Sequence, residues 1–304
     1  MTKTVCSFSA ILFLLVFFTS LQHLSAQSTT PSGLVYTIFP GSGGEKAKAG
    51  DFVKFNLKYT IGDKDTVLQS TFGKIPEYSA VDTGKDSEFS FMEIIPKLSA
   101  GDSAEIMISV DSLKNRNIIA DYDLIFTKGS NLKCRLRLMQ IFKLESDVDS
   151  DYRKELEREK SREIKDIEIY IKGKGIKAVQ KTKNGAYVLV ENPGDITLKA
   201  DSGKVATIKY KGYFFDGTVF DTNMDSSTGS AEPIEVPVGN GKVMQGWDEA
   251  LPYFGKGGKG KIFIPAMLAY GPQGSAPVIP PYSNLIFDIQ ILDVKDESPS
   301  DSDQ

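Results

Sequence analysis

The sequence predicts an α+β protein made of two tandem copies of one fold, an antiparallel sheet with one short helix laid across it, joined by a charged helix. Three observations carry this prediction. Two stretches roughly 150 residues apart repeat the same motifs in the same order, the mark of a duplicated unit. Within each, apolar and polar residues alternate in short runs broken by Gly and Pro, the period-two signature of half-buried strands. Between them, the span 149–172 has no Gly or Pro and is rich in good helix formers.

At the N-terminus, Lys3 precedes an apolar run at 10–18 and a polar stretch ending Leu24-Ser25-Ala26-Gln27. That is the layout of a cleaved export leader. The run of about a dozen residues is short of the ~20 that a membrane-spanning helix needs. Residues 1–26 are therefore expected to be a signal peptide without a stable membrane anchor, on a chain exported to the periplasm or the extracellular space.

The first copy spans 33–145. It opens with Gly33 and a short strand, turns, and resumes at Gly50-Asp51 with Val53, Phe55, Leu57 and Tyr59 alternating. The second copy, 184–295, does the same, with Ala206, Ile208 and Tyr210 alternating, so that Tyr59 answers to Tyr210. Downstream, 66–71 parallels 218–223, 97–108 parallels 253–264, and Ser130-Asn131-Leu132 parallels Ser283-Asn284-Leu285. A short helix is expected from near Gly246 to Pro252, with Trp247 and Leu251 on one face and Asp248 and Glu249 at its positive end. The intervening 146–183 reads as a helical linker with an apolar stripe of Tyr152, Leu156, Ile164, Ile167 and Ile171. It is expected to be a solvated spacer docking lightly on its own domains; the competing reading is a dimerisation or client-gripping helix, and the sequence leaves the oligomeric state open. Residues 296–304 read as a frayed acidic tail.

Composition narrows the chemistry. Lys and Arg number 36 against 40 Asp and Glu, a net charge of −4, so the overall field repels nucleic-acid phosphates and no nucleic-acid partner is expected. Loss of the leader would take Cys6 and His23 with it, leaving Cys134 as the one cysteine and no histidine. Intramolecular disulfides, Ser–His and Cys–His nucleophiles, imidazole acid–base chemistry and His-ligated zinc are then all excluded. No metal or cofactor is expected. Cys134 alternates with Leu136 and Leu138 and reads as a buried thiol. The run 255–261 satisfies G-x-x-x-x-G-K, but Ile262 follows where a phosphate loop needs Ser or Thr, and a strand comes next. It reads as a turn.

The second copy carries an ordered set of motifs: Tyr210-Lys211-Gly212, Asp216-Gly217-Thr218-Val219-Phe220-Asp221, Pro233 through Gly239, Val243-Met244-Gln245-Gly246-Trp247-Asp248-Glu249, Leu268-Ala269-Tyr270-Gly271, Val278-Ile279-Pro280-Pro281 and Asn284 through Asp288. In this it resembles the FKBP family of peptidyl-prolyl cis–trans isomerases. The resemblance implies a curved antiparallel sheet wrapped around a short helix, and an apolar pocket in which an X-Pro bond twists without covalent chemistry. It assigns Trp247 to the pocket floor, with Tyr210, Phe220, Val243, Met244 and Phe287 as walls. Asp221 is set beside the twisting carbonyl. The Tyr270 hydroxyl and the Met244 N–H would bond flanking substrate carbonyls, while Val278 and Ile279 close the pocket from above. Ile234 stands where the family commonly has an aromatic, Met244 where it usually has isoleucine, and Ser275 where some members carry histidine; these bear on substrate preference and macrolide affinity. The partners implied are unfolded or proline-containing polypeptides and macrolide inhibitors.

The first copy departs from the pattern. Leu68 matches Phe220, Gln69 matches Asp221, Phe91 matches Trp247 and Cys134 matches Phe287, while Tyr122 is the candidate for the Tyr270 position. It is expected to be folded but weak or inactive in catalysis. The rival reading of the whole chain is a largely non-catalytic holdase that uses the first copy and the linker helix.

Overall fold

The structure is a computed structural model that describes residues 26–226 and 231–297. Residues 1–25 of the expected leader and 298–304 of the expected tail lie outside the described residues. The chain divides into two compact units: the first runs to Lys143, except for Thr71–Glu77, which groups with the second.

In the first unit, strands β1 (Gln27–Thr29), β2 (Val35–Phe39), β3 (Phe52–Ile61), β4 (Thr66–Ser70), β5 (Glu77–Ala80), β6 (Ser103–Ser109) and β7 (Asn131–Phe142) form one sheet. Its order is β1-β2-β6-β7-β3-β4, with β5 also paired to β3. A short helix, α1 (Val110–Asn115), follows β6. The buried residues Val53, Phe55, Leu57, Ile106, Leu136 and Leu138 come from alternate strand positions and make its core. Where the second copy has a helix, this unit has two single 3₁₀ turns, Phe91–Glu93 and Ile95–Lys97. The β-branched pair Ile94-Ile95 followed by Pro96 disfavours continuous α-helix there.

The second unit begins with α2 (Glu145–Gly173). Its strands are β8 (Gln180–Lys181), β9 (Tyr187–Asn192), β10 (Asp195–Lys199), β11 (Lys204–Tyr213), β12 (Val219–Thr222), β13 (Ile234–Pro237), β14 (Gly255–Lys256), β15 (Lys259–Ile264) and β16 (Leu285–Asp296), with α3 (Gln245–Ala250) between β13 and β14. The main sheet runs β8-β9-β15-β16-β11-β12, with β13 paired to β11. Strand for strand this is the order of the first unit. The second unit extends into a β10–β14 pair what in the first is the single antiparallel bridge Lys46–Ser99. Asp296 is the last residue of β16, where its carboxylate pairs with Lys204, so the polar tail starts later than expected.

One face of this sheet holds α3. Trp247, Ala250 and Leu251 pack on Ile208, Ile262, Ile264 and Phe287. Gly246 permits the close approach, because a Cβ there would lie 2.3 Å from Ile264 Cγ2. The opposite face holds the C-terminal half of α2, where Ile167 and Ile171 are buried against Tyr187, Phe263 and Ile286. The helix is thus seated in the second unit, not lightly docked. Ile164, Ile167 and Ile171 fall on one helical face, and Phe263 and Ile286 point away from the α3 side because side chains alternate along a strand. Glu159 and Glu163 share the buried side of α2 with them.

Candidate active site

On the α3 side of the second unit lies a hollow of about 490 Å³. Nine of the predicted site residues line it: Tyr210 from β11, Phe220 and Asp221 from β12, Ile234 from β13, Val243 and Met244 just before α3, Trp247 within it, Tyr270 from a loop and Phe287 from β16. The rings meet edge to face. Trp247 and Phe287 have centroids 5.2 Å apart at 90°, Tyr210 and Trp247 5.3 Å at 79°, and Phe220 and Phe287 5.6 Å at 85°. This is the arrangement that aromatic quadrupoles favour, and it forms a rigid apolar cup. The Trp247 indole N–H at its base is buried without a hydrogen-bond acceptor among the described residues.

One carboxylate faces this apolar surface. The Tyr210 hydroxyl donates to Asp221 Oδ2 at 2.6 Å, supplying the partner that a partly buried charge requires. Burial and the Asp221 charge hold the Tyr210 hydroxyl well above the usual phenol range, so it remains a donor. Burial, with Asp221 as a smaller contributor, raises the Tyr270 hydroxyl as well.

Val278 and Ile279 do not line the hollow. Val278 is about half exposed, and Ile279 is buried in the core beside α3. The loop bends so that Ile279 N–H bonds to Ser275 O, turning Ile279 inward to pack instead of over the cup. Gly241, Lys242 and Ala269 line the hollow in addition to the residues expected.

Several residues support the cup in roles that the sequence did not assign to them. Gly212 on β11 leaves room for the cup: a Cβ there would be 2.6 Å from the Phe220 ring and 2.8 Å from the Phe287 ring. Asn223 accepts from Tyr210 N–H at 2.6 Å and donates to Ile208 O and Glu232 O, both at 3.1 Å, which locks the end of β12 beside Tyr210. The acidic pair on α3 binds loops. Asp248 accepts from the N–H groups of Gly239 and Gly241 at 2.9 and 3.0 Å, fixing the segment that leads to Val243 and Met244. Glu249 accepts from the Thr182 hydroxyl at 2.7 Å and from Asn184.

A larger hollow, about 610 Å³, lies between α2 and the stretch Phe214-Phe215-Asp216. Its carboxylates, Asp166 and Asp216, are exposed, and one wall is Tyr170 stacked on Phe215 at 4.4 Å. It is a shallow shelf and not a cup.

Residues 197–292 match the profile of the FKBP-type peptidyl-prolyl cis-trans isomerases. FK506-binding protein 2 of Yarrowia lipolytica is 40% identical over 110 residues, which are 36% of this chain and 74% of that protein. An FK506-binding protein of Neisseria meningitidis serogroup C is 36% identical over 110 residues, covering 36% of this chain and 97% of that one. The chain belongs to the FKBP family. A relative from Escherichia coli, the FKBP-type 22 kDa peptidyl-prolyl cis-trans isomerase, is 40% identical over 116 residues, 38% of this chain and 53% of its own. The crystal structure of FkpA from Escherichia coli aligns with 50% of this chain and 68% of that one at 34% identity and a TM-score of 0.38.

The first unit of this FKBP-family chain has a smaller hollow, about 330 Å³, lined by Tyr59, Leu68, Gln69, Phe89, Ile118 and Phe126 among others. Strand register corrects one sequence correspondence. Tyr59 pairs with Gln69 and Cys134, as Gly212 pairs with Asp221 and Phe287. Tyr59 therefore occupies the place of Gly212, and Leu57 that of Tyr210. A tyrosine ring sits where the second unit needs empty space, and its hydroxyl meets the Cys134 thiol. No phenol stands at the Tyr210 position to pair with Gln69. Tyr122 is absent from the lining; its hydroxyl donates to Asp111 at 2.9 Å. Cys134 is fully buried, and burial pushes its thiol up to about 12, as a core residue and not a nucleophile.

Proposed function

We propose that the aromatic hollow of the second unit is the isomerase site, that its substrates are X-Pro bonds of exported polypeptides, and that the first unit does not catalyse. Rotation about an X-Pro bond must break amide conjugation, against a barrier of ~18–20 kcal/mol, and no covalent bond need form or break. A planar imide is more polar than a twisted one. A dry ring-lined cup with few polar groups therefore binds the twisted state better than water does, relative to the planar state. Trp247 would lie under the proline ring, with Tyr210, Phe220 and Phe287 around it. Asp221, held by Tyr210, would face the carbonyl that rotates, and the Tyr270 hydroxyl and Met244 N–H would bind neighbouring carbonyls. A thousandfold acceleration requires only about 4 kcal/mol of differential binding. The observation that carries the reading is the convergence of Asp221, Trp247 and Tyr270, from three separate parts of the sequence, on one hollow.

Export is supported by the leader-like N-terminus and by the start of β1 at Gln27, so that cleavage after Ala26 would leave every described strand intact. FK506, which names the relatives, would compete for the same cup. The test is cis–trans exchange of an X-Pro peptide. Asp221→Ala and Trp247→Ala should each lower kcat/KM by about tenfold or more, a loss of at least about 1.4 kcal/mol. Activity at the wild-type level in either variant would count against this site.

A second reading, polypeptide holding by the first unit, is favoured by its retained hollow, where Leu68 and Ile118 are both exposed. On that reading Ile118→Lys in the full chain would weaken suppression of client aggregation and leave peptide isomerisation unchanged. Equal suppression by the variant and the wild type would count against it.

A further inference from the structure

Glu163 lies on α2, outside the hollow, yet its hydrogen bonds reach the loop that carries Tyr270. Glu163 Oε2 accepts from Met267 N–H at 2.9 Å. Met267 is in the 3₁₀ turn Ala266–Leu268, whose leading N–H groups have no partner within the turn itself. Asn284 satisfies the preceding one: its Oδ1 accepts from Ala266 N–H at 2.9 Å, while its Nδ2 donates to the Glu163 carbonyl at 3.2 Å. The turn is braced internally, with Ala269 and Gly271 N–H both bonded to Ala266 O. Tyr270 and Ala269 therefore move with Met267, and both line the hollow.

We propose that Glu163 is a positioning residue for the isomerase reaction, holding the Ala266–Leu268 turn and through it the Tyr270 wall of the cup. This rests on the reading of the hollow as the isomerase site. It makes the linker helix part of the scaffold that shapes that site.

The surroundings of Glu163 give the proposal a signature that a merely structural contact would lack. Its other oxygen, Oε1, is buried and has no donor among the described residues. Glu159, one turn earlier, is buried beside it and ion-paired with Arg162. Lys74 and Tyr282 act on Glu159 from outside the helix. Burial raises both carboxyls, but Glu159 has Arg162 as its ion-pair partner, so the proton is assigned to Glu163, which faces Glu159 without a cation of its own among the described residues. Consistently, burial pushes the Glu163 carboxyl up to about 7, against the pull of the Met267 N–H. As the pH rises past this value, a second buried charge appears next to Glu159 and loosens the seat of the turn.

The experiment measures peptide isomerisation between pH 6 and 8.5 for the full chain, Glu163→Ala, Glu163→Gln and Trp247→Ala, with thermal unfolding of each. Glutamine keeps an acceptor for Met267 and a permanent donor toward Glu159. Glu163→Ala is expected to lose about tenfold in kcat/KM at pH 6, as misplaced binding groups do. Glu163→Gln should match the wild type at pH 6 and stay flat to pH 8.5, while the wild type falls about threefold as Glu163 loses its proton. Wild-type kcat/KM in a folded Glu163→Ala, or a wild-type profile no steeper than that of Glu163→Gln, would overturn the proposal. Should Glu163→Ala not fold, the comparison of the glutamine variant with the wild type decides alone. Full activity in Trp247→Ala would instead remove the site reading, a failure seen without reference to Glu163.

Discussion

At the scale of single residues, the cup depends as much on an absent side chain as on those present. Gly212 stands directly opposite Phe287 and Asp221 in the sheet, and its missing Cβ is the space into which the Phe220 and Phe287 rings lean. Gly212→Ala should displace those rings, cost about 1–3 kcal/mol as overpacking does, and lower kcat/KM. Urea titration and the peptide assay read the two effects separately, and an alanine variant of wild-type stability and rate would show that the strand yields. The first unit has already made a larger change at this place, with Tyr59 there and Cys134 opposite. Alternation along the strand could not reveal this, because a slip of two residues leaves every side chain on its original face. Only pairing with β4 and β7 fixes which tyrosine corresponds to what. The cup itself was legible, since its residues stand in the ordered motifs by which the second copy resembles the FKBP family. The roles of Gly212, Asn223 and Glu163 were not, because each acts on a partner that no local pattern connects to it.

Elements tell a similar story at longer range. The helical character of α2 follows from its composition, but its seat does not: Ile167 and Ile171 find their partners on β9, β15 and β16, and two glutamates share the buried face. An apolar stripe interrupted by charge looks solvated until the groove beneath it is known. Ile167→Ala should therefore destabilise the second unit by about 2–5 kcal/mol, the range for a deleted core side chain, whereas a spacer helix would lose almost nothing. Titration acts on the same seat. Because Glu163 has its folded-state pKa raised from about 4.5 to about 7, the folded protein binds the extra proton between those values. The contribution is complete below the lower value and is lost as the pH rises through the higher one. The melting temperature of Glu163→Gln should accordingly gain on that of the wild type between pH 5 and pH 8, and a constant difference would show that the carboxyl does not titrate there.

For the whole molecule, the duplication gave two sheets of one strand order and two cores with no residue in common. Only the second kept the paired carboxylate, the tryptophan and the open glycine position; the first filled its centre with Tyr59 and a thiol raised by burial. Two natural probes follow from this division. Trp247 is the one tryptophan of the chain and belongs to the second core, while Cys134 belongs to the first and is the one cysteine besides Cys6. In a Cys6→Ser chain, indole fluorescence reports unfolding of the second unit, and reaction of the Cys134 thiol with a disulfide reagent reports opening of the first. The native thiol should be inert at pH 8, well below its raised pKa of about 12, and should react only as urea opens the first core. Separate cores predict separate transitions, since coincident probes are the mark of one cooperative unit. If FK506 enters the second unit's cup as proposed, saturating FK506 would then shift the indole transition to higher urea and leave the thiol transition in place, because a ligand stabilises only the folded state that binds it. A single midpoint for both probes, moved as one by the ligand, would mean that the two halves fold as one body.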